Sequence, residues 1–194
     1  MQKVLGIQSP LKSIGLFPQF KAASGEDSFK MINLMVCGHG RAGKDEFCES
    51  IGIPFISSSW ACLDHVIWPQ WGKFQPYISK EECFNDRSNH RQVWYNLITQ
   101  YNSPDRTRLA RKIYADAPIY CGIRNGLEFI AVRDAGLFDL SVWIDASDRL
   151  PPEPSTSCTV TKDMCDIVIE NNGSLEQFRN KIEAFKNAIQ ATEG

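Results

Sequence analysis

Long apolar runs are missing from this chain of 194 residues. No stretch approaches the roughly 18 consecutive apolar residues that a membrane-spanning helix requires. The segment MQKVLGIQSPLKSIGLF is interrupted by Pro10 and by charged residues, so it lacks the apolar centre of a secretory signal peptide. We therefore expect no membrane association.

A charge excess is also missing. The chain has 21 Lys and Arg against 23 Asp and Glu, for a formal net charge of −2. Proteins that bind a nucleic-acid backbone usually carry a basic excess or a basic face. The composition therefore argues mildly against nucleic acid as a partner, although a local basic cleft is compatible with it.

Paired cysteine spacings are absent too. The seven cysteines are odd in number, none lies in a CxxC pair, and the three histidines show no metal-ligand spacing. Several cysteines lie within apolar runs such as MINLMVC and PIYCGI, where a free thiol packs as a small apolar group. The pattern is typical of reduced thiols in a cytoplasmic protein and gives little support to a zinc site or a thiol enzyme.

Short apolar runs alternate with helical patterns along most of the chain. This alternation predicts a mostly parallel central sheet with helices on both faces, which is a three-layer α/β domain. We divide the chain into an N-terminal extension, 1–29, and one domain, 30–194. The predicted strands are 31–37, 53–57, 117–124, 138–146 and 165–171.

A glycine-rich segment directly follows the first of these strands and directly precedes a helix. It fits G-x-x-x-x-G-K, in which backbone N–H groups surround phosphate oxygens and the lysine reaches the β- and γ-phosphates. The alternative is an incidental glycine-rich turn. The predicted cofactor-binding residues are Gly38, His39, Gly40, Arg41, Ala42, Gly43, Lys44 and Asp45.

Asp45 stands where this motif usually has the Ser or Thr whose hydroxyl holds Mg²⁺. A carboxylate is also a hard oxygen ligand, so Asp45 is a candidate metal ligand. The alternative is that its charge merely favours the N-terminus of the helix.

The segment GHGRAGKDEF resembles the G-K-D loop of phage deoxynucleoside monophosphate kinases, and animal-type phosphomevalonate kinases carry a similar loop. YCGIRNGLEFIAVRDAG, FDLSVWIDAS and DIVIENNGSLEQFRNKI resemble later strands and helices of the phage family, so that the resemblance covers residues 31–190. It implies a P-loop kinase fold, ATP and Mg²⁺ as cofactors, and phosphoryl transfer to a (deoxy)nucleoside monophosphate. If the chain is phage-encoded, its location is the host cytoplasm.

The same resemblance divides the domain. An acceptor-binding helical region is expected at about 58–115, and a lid at about 147–163. Lids usually supply arginines that close over phosphates. This one offers only Arg149, Lys162 and three prolines in PPEP, so we expect a reduced lid.

Arginines are the candidate ligands of the transferring phosphoryl group, because their planar guanidinium binds phosphate with two hydrogen bonds. Arg124 ends a predicted strand at the sheet edge where such folds bind ligands. Arg87 and Arg91 have i, i+4 spacing on a predicted helix, and the alternative for them is a solvated face. With Lys44, these three are the predicted catalytic residues; Arg41 could contact phosphate or adenine, whereas Arg108 and Arg111 fit a solvated face better.

Other candidates have weaker arguments. Glu128, one turn after Arg124, is expected to orient it by a salt bridge or to form an ordinary surface pair. His39 is not needed as a base because the acceptor is already an anion. Asp64 and His65 lie where acceptor binding is expected to begin, and His65 either contacts a base or phosphate or is structural. The aromatic residues of this region either form a base pocket by stacking or pack in the core or against a partner; they are Trp60, Trp68, Trp71 and Tyr77.

Three functions stay open from the residues. The first is an ATP-dependent nucleoside monophosphate kinase that acts on small-molecule nucleotides. The second is a P-loop kinase with another acceptor, either a small phosphorylated metabolite or a hydroxymethylated base in DNA. The third is a non-catalytic nucleotide-binding module. An exposed aromatic cluster would be compatible with a homodimer.

Overall fold

The computed structural model describes residues 3–5, 32–154 and 158–190, with only the backbone described for 3–5. Its centre is one six-stranded sheet in which every strand pairs in parallel with its neighbours. The order across the sheet is β1-β6-β5-β2-β4-β3. The strands are β1 Lys3–Leu5, β2 Leu34–Cys37, β3 Phe55–Ser57, β4 Ile119–Cys121, β5 Leu140–Asp145 and β6 Ile167–Glu170.

Eight α-helices are found in the described residues. They are α1 Lys44–Ile51, α2 Ser58–Cys62, α3 Trp68–Gln70, α4 Lys80–Asn85, α5 Arg91–Asn102, α6 Arg108–Asp116, α7 Gly126–Asp134 and α8 Leu175–Gln190. A π-helical turn, Leu63–Ile67, joins α2 to α3, and 3₁₀ turns cover Gly72–Phe74, Asp86–Ser88 and Lys162–Met164. No helix of the described part of the chain is long and apolar enough to cross a membrane.

Strand β2 shows why the fold has three layers. All four of its side chains are buried, and successive side chains of a strand point to opposite faces. Leu34 and Val36 join a core with residues of α1 and α8, whereas Met35 and Cys37 join a second core with residues of α2, α5, α6 and α7. A strand buried on both faces is typical of a parallel sheet covered by helices. The predicted three-layer α/β architecture is confirmed.

Local sequence signals set several helix ends. Ser79 caps α4 by accepting the N–H of Glu82, whose carboxylate accepts the N–H of Ile78 in return. Asn125 caps α7, and the hydroxyl of Ser174 accepts the N–H of Gln177 in the first turn of α8. These caps explain why α4, α7 and α8 begin where they do.

The predicted helix that carries Arg87 and Arg91 is interrupted. The carboxylate of Asp86 accepts hydrogen bonds from Tyr77 (2.6 Å) and Asn89 and contacts His90 (3.0 Å). These bonds fix a 3₁₀ turn at Asp86–Ser88, and α5 begins only at Arg91. Arg87 and Arg91 therefore do not share a face of one helix, and that prediction was wrong.

The predicted N-terminal extension contributes an edge strand. Residues Lys3–Leu5 pair in parallel with Ile167–Ile169 of β6. The remainder of 1–29 lies outside the described residues, as do 155–157 of the predicted lid. All seven cysteines are free and buried.

Candidate functional site

The glycine-rich loop joins β2 to α1 at the carboxyl ends of the strands. The connection from β2 to β3 places α1 on one face of the sheet, whereas the connection from β4 to β5 places α7 on the opposite face. Open α/β sheets bind ligands where successive connections diverge in this way. The backbone angle φ is positive at Gly38 (143°), Arg41 (63°) and Gly43 (101°). The loop thus has the strand-turn-helix context that the phosphate-binding motif requires.

Neighbouring strands hold the loop tightly. The buried Asn171, directly after β6, donates its Nδ2 to the carbonyl of Ala42 at 2.8 Å. A Cβ atom placed on Gly43 would lie 2.5 Å from that Nδ2, and one on Gly38 would lie 2.7 Å from the carbonyl oxygen of Ile144. Asn171 is not among the predicted site residues; the signal that could have identified it is an asparagine at the carboxyl end of a buried strand.

Gly43→Ala is expected to destabilise the protein more than Gly136→Ala. Both residues have positive φ, 101° and 62°, which costs an L-residue about 1–2 kcal/mol. Only at Gly43 would the methyl group also collide with Asn171, since nothing lies within 4 Å of a Cβ on Gly136. Chemical unfolding of both variants separates the collision from the backbone strain. Equal losses of unfolding free energy would contradict the tight packing of the loop.

Lys44, the first residue of α1, folds back over the loop. Its Nζ donates to the carbonyl oxygens of Gly38 (2.9 Å) and His39 (2.6 Å). Burial and the nearby guanidinium of Arg124 lower the pKa of Lys44. The ammonium therefore lies in a poorly hydrated environment near both Arg124 and Glu153, and a bound anion would stabilise its charge.

Asp45 follows in the first turn of α1 and is exposed. Its Oδ1 accepts a weak bond from the thiol of Cys121 on β4 at 3.7 Å. A thiol is a poor competitor for a carboxylate oxygen, and oxygen is the ligand that Mg²⁺ prefers. Asp45 is thus chemically suited to hold Mg²⁺ beside the loop, and its charge also suits the N-terminus of α1.

Arg124 lies just beyond β4, and the carboxylate of Glu153 links it to the loop. Its Nη1 donates to Oε1 and Oε2 of Glu153 at 2.7 and 2.8 Å, and Oε2 also accepts the backbone N–H of Gly40 at 2.7 Å. Burial acts to raise the pKa of Glu153, but the bonds from Arg124 and Gly40 outweigh it and the pKa is lowered. One oxyanion thus bridges the loop and Arg124.

A carboxylate–thiol–imidazole group is present at the same place. Donor atoms of His39, Glu153 and Cys158 lie within 4.8 Å of one another. However, the carboxylate is already paired with Arg124, and burial raises the pKa of the Cys158 thiol, which keeps it protonated. With Lys44 also beside Glu153, the electrostatics favour an anion over a metal cation at this position.

Arg87 and Arg91 lie apart from this cluster in the described contacts. The Arg87 guanidinium stacks 4.0 Å from the ring centre of Phe84 and donates to its carbonyl oxygen. Arg91 begins α5 and is exposed. Their predicted contact with phosphate stays a prediction.

Glu128 does not orient Arg124, and that alternative was wrong. Its Oε1 accepts the Nδ2 of Asn102 at 3.0 Å, and burial raises its pKa. The Oδ1 of Asn102 and the indole N–H of Trp94 are buried and have no hydrogen-bond partner among the described residues. Asn102 and Trp94 carried no sequence signal beyond helix periodicity.

The remaining candidates have local partners. Asp64 pairs with Lys80, and Arg111 donates to Thr107. The rings of Trp60 and Phe84 stack at 4.6 Å, and Trp71 contacts Tyr77 and His90 edge-on or tilted. Most aromatic side chains of this region therefore pack against one another; Trp68, Trp71 and Tyr77 also pack against the core. Arg41 and Arg108 are exposed, and Arg108 stacks on Tyr101.

Neither the models of known protein families nor the curated protein sequences match this chain. The loop, Lys44, Arg124 and Glu153 are the features of the chain that bear on its function.

Proposed function

We propose that the protein transfers a phosphoryl group from ATP to a (deoxy)nucleoside monophosphate. One observation carries the proposal: a backbone N–H of the loop and the guanidinium of Arg124 converge on a single oxyanion beside Lys44. Phosphoryl transfer needs little else from a protein than positioned positive groups and backbone donors.

In this proposal each group has a distinct role. The N–H groups of the loop and the ammonium of Lys44 bind the phosphates of ATP. Arg124, at the neighbouring strand end, binds the phosphate that is transferred or the one that receives it. Its planar group offers two parallel hydrogen bonds, which fixes the direction of the phosphate as well as its position. No general base is required, because the acceptor is already ionised.

Asp45 is the residue that would hold Mg²⁺. When bound with ATP, the ion neutralises charge on the phosphates. Asp45 is exposed, lies one residue after Lys44, and offers hard oxygen ligands.

The direct test is an assay with ATP, Mg²⁺ and each (deoxy)nucleoside monophosphate in turn, with ADP formation as the readout. Turnover with one or more of them is expected. ADP formation only with a phosphorylated metabolite or with DNA that carries hydroxymethylated bases would move the reaction to another acceptor. ATP binding without turnover on any acceptor would favour a non-catalytic module.

A further inference from the structure

Glu153 uses the very groups that the proposed function assigns to phosphate. Its two carboxylate oxygens accept two hydrogen bonds from Arg124 and one from the N–H of Gly40, all between 2.7 and 2.8 Å. A Cβ atom on Gly40 would lie 3.2 Å from Oε1 of Glu153, so the carboxylate is in contact with the loop backbone itself. These are the distances and donor types of an anion bound to a phosphate loop.

We propose that Glu153 is an internal phosphate mimic that blocks the loop and must leave before a nucleotide phosphate can bind. The inference rests on the proposed function, because it takes the loop and Arg124 to be phosphate ligands. The carboxylate and a phosphate exclude each other at the loop, because Gly40 has one N–H and that hydrogen cannot bond oxygens of both groups at full strength.

The prolines around Glu153 support this role. Pro151, Pro152 and Pro154 fix φ on both sides of the glutamate and so restrict the segment. A restricted segment loses less conformational entropy when it places its side chain on the loop. The PPEP sequence, which looked like a lid short of arginines, thus places a negative charge where a lid would place a positive one.

The contact is also weak enough to be displaced. The Arg124 side chain is 44% exposed and the Glu153 side chain 26% exposed, so that water screens their attraction. A polyphosphate carries several negative charges against the single charge of Glu153, and it can use Lys44 as well. The carboxylate has the advantage of being tethered, which gives it a high effective concentration at the loop.

The test measures binding of inorganic tripolyphosphate to the full chain by calorimetry, without metal. This probe has no base or sugar, so it reports only on the phosphate ligands. Glu153→Gln removes the charge with almost no change in size. Its affinity for tripolyphosphate is expected to exceed that of the wild type by about threefold to tenfold, which corresponds to a loop that is unblocked in about 10–30% of wild-type molecules. ATP is expected to show a gain of the same direction.

Asp148→Asn is the matched control. Asp148 is exposed and lies in the same segment, and its backbone N–H donates to Asn172 and not to Glu153 or Arg124. The variant loses the same charge as Glu153→Gln. Its affinity is expected to equal that of the wild type. Glu153→Asp keeps the charge but shortens the side chain, so a smaller gain than that of Glu153→Gln is expected; this variant serves also if Glu153→Gln shows no cooperative melting.

The outcomes separate the two proposals. If the wild type binds tripolyphosphate and Glu153→Gln binds it equally or more weakly, Glu153 does not block the loop, and the proposed function stands. An equal gain in Asp148→Asn would reduce the effect to net charge and overturn the inference in the same way. If neither the wild type nor any folded variant binds tripolyphosphate or ATP, the proposed function fails.

Discussion

Lys44→Met is expected to lower the rate of phosphoryl transfer by about 10³-fold and to leave the fold intact. The methionine side chain has nearly the same length but carries no charge, so the variant removes only the ammonium that the loop holds beside Arg124. Loss of one pre-positioned donor to developing charge typically lowers kcat by about 10²–10³-fold, and a charged donor is at the upper end of that range. The measurement is ADP formation at saturating ATP with the best acceptor from the panel.

The stability of this variant distinguishes lost chemistry from lost structure. Burial lowers the pKa of Lys44 in the folded protein below its value in the unfolded chain. At neutral pH the charged form therefore opposes folding, and this cost disappears as pH rises through the folded pKa. Removal of the charge is not expected to reduce the unfolding free energy by more than about 1 kcal/mol. A cooperative melt near that of the wild type checks this.

The same pKa gives a pH dependence for binding. Affinity of the wild type for tripolyphosphate is expected to fall as pH rises through the lowered pKa of Lys44, which lies below the value of about 10.4 for an ordinary lysine.

The control for Lys44→Met is Lys112→Met, which changes an exposed lysine on α6. This variant is expected to keep full activity and affinity. Full transfer activity in Lys44→Met would contradict the assignment of the loop.

Local patterns were sufficient to predict five of the six strands of the sheet and the position of the loop. The continuous apolar run that ends at Cys37 predicted a strand buried on both faces, and the glycines after it predicted a turn before a helix. Both signals depend on residues close together in sequence. Helix starts were predictable where one short polar side chain caps the backbone, as Ser79 and Asn125 do.

The contacts that complete the site were not predictable because they join residues far apart in the chain. Gly40 and Glu153 are separated by 113 positions, and Ala42 and Asn171 by 129. Moreover, a glutamate is not an obvious partner for a loop that is expected to bind anions. The break after α4 was missed for a different reason: the side chain of Asp86 bonds three neighbours, and these bonds override the helical periodicity.

Substitution of Arg124 is expected to lower the rate of transfer strongly, whereas its effect on phosphate binding is expected to depend on Glu153. Arg124→Ala is expected to lower the rate of transfer by about 10²–10³-fold, because it removes a charged donor to the phosphoryl group. Arg124→Lys keeps the charge but loses the planar group with its two parallel bonds, so most of the loss is expected to remain. Arg179→Lys, in an Arg–Glu pair of 2.7 Å between α8 and α1, is the control and is expected to keep its activity.

Binding of tripolyphosphate is expected to respond less simply than the rate. In the wild type, Arg124→Ala removes a phosphate ligand but also releases the carboxylate of Glu153, and these two changes oppose each other. In the Glu153→Gln background only the first change remains, so the same substitution is expected to weaken binding more there. The difference between the two losses is the coupling between Arg124 and Glu153. Identical losses in both backgrounds would show that Glu153 does not compete for Arg124, whereas a smaller loss in the wild type is the result that mutual exclusion requires.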